Sequence, residues 1–282
     1  MPPMKSKLLN KVRALYRGTA FERAIARNSR QSGAPIWRSL APNHDLYRPG
    51  ERRSFVANGL AWEVDVSDYI GHEIYFGLDR SMPLLFQLAK PDSIVFDVGV
   101  NLGWSALNLA ALCPEGNVIG FEPDPQNFAN CLANLRRNNL PNLTIEPLGL
   151  GDRPRTASMT VEHERNRGGN RISEESGGEI RLTTIDEYCR DQAVPRLDLI
   201  KIDTEGFEQR IIQGGSETLA RHRPALFIEV NDTHLARYGD SVGSLFQLLR
   251  ELGYARFNVA GTATLIDDPD LLQGCHVDLI VR

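Results

Sequence analysis

Two stretches of the sequence combine glycines and acids at spacings that suit a nucleotide-like ligand. The first, Asp97-Val-Gly-Val-Asn-Leu-Gly103, follows a short apolar run and leads into a helix-like segment. Glycines at positions 99 and 103 would let the backbone approach a ligand closely, and the Asp97 carboxylate suits a cationic amino group. S-adenosylmethionine carries such a group, so the pattern predicts that Asp97, Gly99, Asn101 and Gly103 bind this cofactor.

An acid at the end of the next apolar run supports the same prediction. Glu122 follows Val118 to Phe121 and lies 19 residues after Gly103, where a carboxylate accepts hydrogen bonds from the ribose hydroxyls of a nucleotide. The dinucleotide fingerprint is incomplete, because Asn101 occupies the place of its second glycine. An oxidoreductase that uses a dinucleotide is therefore an alternative that the turn disfavours.

A later pair of acids predicts a catalytic site. Asp203 and Glu205 follow a predicted strand from Leu197 to Ile202, and open α/β sheets bind their ligands beyond the carboxyl ends of the strands. Methyl transfer requires the acceptor to be held in line, and a hydroxyl acceptor gains from a base that takes its proton. We therefore expect catalytic roles for Asp203 and Glu205, with helix capping as the alternative for Asp203.

Other polar residues have both a functional and a structural interpretation, and the sequence leaves these open. Asp152 is assigned to the adenine amine of the cofactor, with a turn cap as its alternative. Lys201 pairs with an acid or takes part in catalysis. Ligand contact and simple packing are both open for His72, Glu73 and Tyr75. A polar insert over 157–182 contains Arg165, Arg167 and Arg171, which bind an anionic acceptor or are solvated. His234 is a base or a surface residue, and the acids near Glu229 could hold Mg²⁺. Their spacing defines no metal site, so Mg²⁺ stays an open alternative.

Alternating apolar runs and amphipathic segments predict the elements that position these residues. Strands are expected at 93–98, 118–121, 143–148, 197–202 and 224–230, and a final pair at 257–260 and 277–281. Helices are expected at 104–112, 126–138, 207–213 and 241–252. This alternation is typical of a doubly wound, Rossmann-like α/β fold. We expect a seven-stranded, mostly parallel sheet whose last pair is antiparallel, with an N-terminal helical and β-hairpin extension.

Five motifs resemble those of FkbM-type methyltransferases. They are Asp97-Val-Gly-Val-Asn-Leu-Gly103, Gly120-Phe-Glu-Pro-Asp124, Thr184-Ile-Asp-Glu-Tyr188, Asp198-Leu-Ile-Lys-Ile-Asp-Thr-Glu-Gly-Phe-Glu208 and Pro224-Ala-Leu-Phe-Ile-Glu-Val230. Val100 replaces the usual alanine of the first motif. The resemblance implies a class I fold, S-adenosylmethionine as cofactor and methyl transfer to a hydroxyl on a sugar, lipid or polyketide-like acceptor. A nitrogen acceptor and a non-catalytic scaffold on the same fold remain alternatives.

The N-terminal part of the chain is basic. Eight Lys or Arg residues and one acid, Glu22, occur among the first thirty residues, together with apolar residues at helical spacing. Such a helix lies on an anionic membrane or docks on the catalytic domain or a second subunit, and we expect docking. A hairpin over 54–66 with an Asn58-Gly59 turn follows, and then a helix over 81–89. We predict a helix and linker over 1–50, a hairpin and helix covering the cofactor site over 51–90, and the methyltransferase domain over 91–282.

Composition is that of an ordinary enzyme. The 282 residues carry a formal net charge of -4 and are 41% hydrophobic, which disfavours general nucleic-acid binding. The four cysteines are scattered without a C-x-x-C spacing, so reduced thiols are expected. No apolar run is long enough to span a bilayer, and the start lacks the apolar region of a secretory signal. These features predict a cytoplasmic location.

Overall fold

The computed structural model describes residues 4–163, 165–173, 178–262 and 264–282. The chain forms two compact units. The first unit is the part up to Arg80 together with Glu162–Gly168, and the second unit is Ser81–Val161 with Gly169–Arg282. The covering role predicted for 51–90 stays a prediction.

The first unit contains short helices and one hairpin. In chain order they are α1 (Met4–Leu15), α2 (Ala20–Ser32), α3 (Pro35–Leu40), β1 (Arg52–Ala57), β2 (Leu60–Asp65) and α4 (Tyr69–Phe76). The basic N-terminal segment is two helices, because the chain turns through Gly18, whose φ is 72°. The hairpin forms as predicted, with Asn58 and Gly59 at φ of 53° and 77°. Both residues have the positive φ that a tight two-residue turn requires.

The second unit contains the remaining elements. In chain order they are α5 (Met82–Phe86), β3 (Ile94–Val98), α6 (Trp104–Leu112), β4 (Asn117–Phe121), α7 (Pro125–Leu135), β5 (Leu143–Glu146), β6 (Gly149–Leu150), β7 (Arg155–Thr160), β8 (Arg171–Ser173), β9 (Ile180–Thr183), α8 (Ile185–Asp191), β10 (Leu199–Ile202), α9 (Glu208–Gln213), α10 (Ser216–His222), β11 (Ala225–Asn231), α11 (Asp232–Ala236), α12 (Val242–Glu251), β12 (Phe257–Val259) and β13 (His276–Val281). The helix expected over 81–89 is therefore only the short α5.

The main sheet confirms the predicted fold. Its seven strands lie in the order β12-β13-β11-β10-β3-β4-β5. Strand β13 pairs antiparallel with both β11 and β12, and the others pair parallel. The chain moves outward in one direction from β3 through β4 and in the other from β10. The carboxyl ends of β3 and β10 therefore border the crevice where doubly wound sheets bind ligands.

The central strands are apolar on both faces, because helices cover a parallel sheet from both sides. Phe96, Ile200 and Ile228 are fully buried. Two charged residues interrupt this pattern, Asp97 in β3 and Lys201 in β10, and both are buried as well. They lie directly opposite each other in the strand register.

The polar insert forms strands instead of a simple hairpin. Strands β6 to β9 make a small sheet in the order β6-β9-β7-β8. Position 164 and residues 174–177, which the predicted insert includes, lie outside the described residues. Among the helices described, none combines the length and the apolar character needed to cross a bilayer. All four cysteines are free, and three are buried.

Candidate active site at the carboxyl ends of the sheet

The glycine turn after β3 has a left-handed backbone. Gly99 has a φ of 84° and Asn101 a φ of 53°. A Cβ on Gly99 would lie 1.9 Å from the carbonyl oxygen of Asp203, so no side chain fits between this turn and the loop after β10. Asparagine is among the few residues that adopt a left-handed backbone readily. This explains how Asn101 replaces a glycine.

Helix α7 fixes the other side of the turn. The side chain of Asn134 donates a hydrogen bond of 3.1 Å to the carbonyl oxygen of Leu102. A Cβ on Gly103 would lie 2.9 Å from the sulfur of Cys131. Gly103 therefore allows close packing of α6 against α7, in addition to any approach to a ligand.

Glu122 ties the turn to the end of β4. Its carboxylate accepts hydrogen bonds from the backbone N–H of Asn101 at 2.7 Å and of Asp124 at 2.9 Å. Burial raises the pKa of Glu122 to about 7, although both amide bonds favour the ionised form. Each carboxylate oxygen has a second lone pair, so these bonds are compatible with ribose hydroxyls. That contact stays a prediction.

Lys201 joins two of the predicted site acids. Its ammonium nitrogen lies 3.6 Å from the carboxylate of Asp97 and 3.2 Å from that of Asp203. It also donates a hydrogen bond of 2.8 Å to the carbonyl oxygen of Gly99. Burial alone would lower the pKa of Lys201, but the two carboxylates raise it above its usual value. Lys201 therefore has a pairing role in the structure.

Asp97 is the most deeply buried of the predicted cofactor residues. Its side chain has no solvent exposure. Burial raises the pKa of Asp97, whereas the charge of Lys201 lowers it. The observed role of Asp97 is to compensate Lys201, and its contact with a cofactor amino group stays a prediction.

Asp152 has a different neighbour from the other predicted cofactor residues. Its carboxylate lies 3.4 Å from the guanidinium of Arg155. Among the described hydrogen bonds and ion pairs of Asp152, none joins it to the glycine turn. The adenine contact stays a prediction.

The loop after β10 is held by Glu208, the first residue of α9. Its buried carboxylate accepts hydrogen bonds from the backbone N–H groups of Thr204 and Gly206, at 3.0 Å and 3.1 Å. The N-cap residue of α9 is Phe207 and the start of this helix has no side-chain cap bond, so Asp203 does not cap it. Asp203 is instead partly exposed, with 39% of its side-chain surface accessible. Glu205, between these residues, has a φ of 59°, a conformation that strains a non-glycine residue.

Glu205 belongs to a cluster of two carboxylates and two imidazoles, which we call the Glu–His cluster. The Nδ1 atom of His234 lies 2.8 Å from the carboxylate of Glu205. The Nε2 atom of His276 lies 2.6 Å from the carboxylate of Glu229. Glu205, Glu229 and His234 each place a ligand-type atom within 4.8 Å of the others. These three could hold a metal ion, and an imidazole among them suits a transition metal better than Mg²⁺.

Burial and neighbouring charges raise the pKa values of both carboxyl groups in the Glu–His cluster. Burial raises the pKa of Glu205 to about 7, and the nearby carboxylate of Asp203 raises it further. Burial and Asp203 also raise the pKa of Glu229. The hydrogen bond to Glu229 raises the pKa of His276. A carboxyl group that titrates near neutral pH can accept a proton under physiological conditions.

Two of the weaker sequence signals fall on buried residues, His72 and Tyr75. His72 is buried, its Nε2 lies 2.5 Å from the carbonyl oxygen of Pro42, and burial lowers its pKa to about 4. Tyr75 is 2% exposed. These positions favour packing for both residues. Burial raises the pKa of Glu73 to about 7. Of the three arginines in the insert, Arg165 and Arg167 belong to the first unit and Arg171 to the second.

Sequence patterns did not identify two members of the site. His276 begins β13, one residue before the predicted strand, and only antiparallel pairing brings this strand beside β11. Glu208 appears in a motif, but its clamp on the preceding loop depends on the backbone path through Glu205. An acid three residues after Glu205 was the signal that could have revealed the clamp.

The strand order, the glycine turn and the acid at the end of β4 define a class I, Rossmann-like methyltransferase fold. The family model described as "Methyltransferase FkbM domain" matches residues 97–255, which is more than half of the chain. The chain belongs to the FkbM methyltransferase family.

Two characterised relatives match the chain over part of their length. The 2-O-methyltransferase NoeI of Sinorhizobium fredii is 27% identical over 169 residues, which cover 52% of this chain and 67% of NoeI. The hexuronic acid methyltransferase AglP of Haloferax volcanii is 30% identical over 139 residues, which cover 48% of this chain and 55% of AglP. The chain thus spans between half and two thirds of these relatives.

A solved structure is also similar. It is the crystal structure of the methyltransferase FkbM from Methylobacillus flagellatus, with a TM-score of 0.46 and 17% sequence identity. The match covers 99% of this chain and 59% of that chain.

Proposed function

We propose that this methyltransferase uses S-adenosylmethionine and transfers its methyl group to a hydroxyl group of a sugar. The observation that carries the proposal is the pairing of Glu205 with His234 beside Asp203, at the ends of β10 and β11. Family membership supports methyl transfer. The names of two relatives, a 2-O-methyltransferase and a hexuronic acid methyltransferase, support an oxygen atom of a sugar as acceptor.

The residues around the glycine turn fit this cofactor. Gly99 has no Cβ that would block the approach of a ligand to the turn. Asn101 adopts the left-handed backbone conformation that the turn requires. The buried carboxylate of Glu122 lies at the end of the adjacent strand, where it would accept from the ribose hydroxyls. Asp97 and Lys201 form a buried ion pair beside the turn, in which each compensates the charge of the other. When bound, S-adenosylmethionine supplies an electrophilic methyl group on a sulfonium.

The Glu–His cluster would take the proton of the acceptor. In the transfer, a bond from the acceptor oxygen to the methyl carbon would replace the bond from that carbon to the sulfonium sulfur, and the hydroxyl proton would have to leave. Burial raises the pKa of Glu205 to about 7, and its carboxylate lies 2.8 Å from the Nδ1 atom of His234. Either side chain of this pair can receive the proton. Asp203, partly exposed on the same loop, would orient the acceptor.

Transfer to a nitrogen remains the second candidate reaction. A neutral amine attacks through its lone pair without first losing a proton, so it depends less on a base than a hydroxyl does. The Glu205–His234 pair, with its carboxyl group near neutral pKa, therefore favours oxygen. The two reactions can be distinguished with three acceptors: a hexose, the matching hexuronic acid and the matching amino sugar.

Transfer of an isotopically labelled methyl group from S-adenosylmethionine to these three sugars tests the proposal. We expect label on an oxygen of the hexose or the hexuronic acid, located by fragmentation in a mass spectrometer. Label only on the amino group would contradict the hydroxyl acceptor. A parallel reaction contains a metal chelator. The rate of methyl transfer should be unchanged if the Glu205–His234 pair accepts the proton, and it should fall if a metal ion holds the hydroxyl.

A further inference from the structure

A concave groove lies in the first unit between α2 and the β1–β2 hairpin. Its volume is about 750 Å³, and residues from 20–31 and 54–58 line it together with Tyr75. Arg23, Arg27 and Arg30 form one wall, so we call it the arginine groove. No acidic side chain lines the groove among the residues that the structure describes. The groove is therefore strongly positive.

The arginines share one face of α2, because they follow at intervals of four and three residues. The opposite face is buried in the first unit, with Ile25 and Ala26 fully covered. Glu22 belongs to that buried face, and its carboxylate accepts a hydrogen bond of 2.8 Å from Arg53. The acid of this helix is therefore directed away from the groove and does not neutralise it.

Two of the arginines are held in place. The guanidinium of Arg30 stacks 4.4 Å above the ring of Phe55 and donates to the carbonyl oxygen of Tyr75. Arg23 donates a hydrogen bond of 3.1 Å to the carbonyl oxygen of Gly18. Arg27, between them, is exposed. Prepositioned guanidinium groups suit phosphate, which they bind through paired N–H donors.

Apolar side chains accompany the positive charge. Val56 lines the groove and is 69% exposed. Phe55 and Ala57 line the groove as well. A ligand that satisfies both features is an anion with an apolar part. Anionic lipids at a membrane surface present phosphate groups above acyl chains, and basic helices with exposed apolar residues bind there.

The distribution of charge along the chain also favours binding of an anionic surface by the N-terminal part. Nine of the first 40 residues are Lys or Arg and only Glu22 is acidic, whereas the whole chain has a net charge of -4. An anionic surface therefore attracts this part of the chain and repels the rest. We propose that the arginine groove binds the phosphate headgroups of anionic lipids and holds the first unit on an anionic membrane surface.

Sedimentation of the full chain with lipid vesicles tests the proposal. The vesicles are phosphatidylcholine, with or without phosphatidylglycerol, and no cofactor or acceptor is added, so the result is independent of the proposed reaction. We expect binding only when phosphatidylglycerol is present, and weaker binding as salt is raised. Arg23→Gln with Arg27→Gln should lower the partition coefficient by at least about tenfold.

A matched variant controls for general loss of charge. Arg221→Gln with Arg256→Gln removes two exposed arginines from the second unit and should keep nearly all vesicle binding. Val56→Ser tests the apolar part and should weaken binding without changing its salt dependence. Because the changed side chains are exposed, each variant should fold. Melting temperatures of the variants check this.

Three results would overturn the proposal. The first is equal binding to both kinds of vesicle. The second is an equal loss of binding in the groove variant and the control variant. The third is a protein that does not bind the vesicles but binds inorganic pyrophosphate or an oligonucleotide. That result would assign the groove to a soluble anion or to nucleic acid.

Discussion

The ammonium group of Lys201 lies 2.8 Å from the carbonyl oxygen of Gly99 and so joins β10 to the glycine turn after β3. The same nitrogen lies 3.6 Å from Asp97 and 3.2 Å from Asp203. One buried cation therefore holds the predicted cofactor turn and the first residue of the predicted catalytic loop. The two predicted parts of the site share one electrostatic support.

Removing this cation should destabilise the fold strongly. In Lys201→Met the buried carboxylate of Asp97 loses its countercharge, and we expect the free energy of unfolding to fall by about 3–5 kcal/mol. Urea denaturation followed by circular dichroism measures the change. Lys90→Met, which removes an exposed lysine, should change stability by less than about 0.5 kcal/mol.

A double variant separates charge from packing at the same position. Asp97→Asn combined with Lys201→Met removes both buried charges, and it should recover part of the lost stability. If the double variant is no more stable than Lys201→Met, the loss comes from packing and the electrostatic explanation is wrong.

Gly99→Ala tests the close approach of the two loops. An added Cβ would lie 1.9 Å from the carbonyl oxygen of Asp203, so the loops have to separate. Gly239→Ala is the matched control, because Gly239 has a φ of 77° and no atom within 4 Å of the added Cβ. The control should cost about 1–2 kcal/mol, the cost of a left-handed alanine. Gly99→Ala should cost more in thermal unfolding and should abolish cofactor binding, and equal costs would contradict the close approach.

Glu122 should control cofactor affinity and its pH dependence. Its pKa is raised to about 7 by burial, and the ionised carboxylate is the better acceptor for ribose hydroxyls. Calorimetric affinity for S-adenosylhomocysteine should therefore rise from about pH 6 to about pH 8. Glu122→Gln should weaken binding by about 1–3 kcal/mol and remove this rise. Glu115→Gln, at an exposed position, should behave like the wild type, and an unchanged Glu122→Gln would exclude Glu122 from the site.

Glu205 should set the pH dependence of the reaction. Because its pKa is about 7, kcat/KM should rise as the pH approaches 7 and become constant above it, since the base has to be ionised. Glu205→Gln should lower kcat/KM by about 10²–10⁴ and remove this dependence. Glu217→Gln, an exposed acid of the same unit, should keep both. A Glu205→Gln enzyme with the pH profile of the wild type would return Glu205 to a structural role.

Much of the fold could be predicted from the sequence because its signals are local. The apolar run before Gly99 and the acid after Phe121 each mark the end of a buried strand, and the strand order follows from the doubly wound pattern. The Asn58-Gly59 turn likewise determines its hairpin through backbone conformation alone. The basic N-terminal segment is helical, as its spacing predicts, but it is divided into two helices at Gly18, a break that depends on a single residue.

The parts of the site that could not be predicted depend on contacts between distant segments. Lys201 and Asp97 face each other because β10 pairs with β3 in one register. His276 reaches Glu229 because β13 pairs antiparallel with β11. A sequence pattern gives the face of a strand but not its partner, so these pairings became visible only in the folded chain.

Calorimetric titration of the purified protein with S-adenosylhomocysteine, and separately with NADH, tests the central claim most directly. The turn with Asn101 in a left-handed conformation and Glu122 beside it should bind S-adenosylhomocysteine in the micromolar range and leave NADH unbound. Binding of NADH alone would identify a dinucleotide site and contradict methyl transfer from S-adenosylmethionine. Binding of neither would contradict the cofactor assignment for the chain by itself.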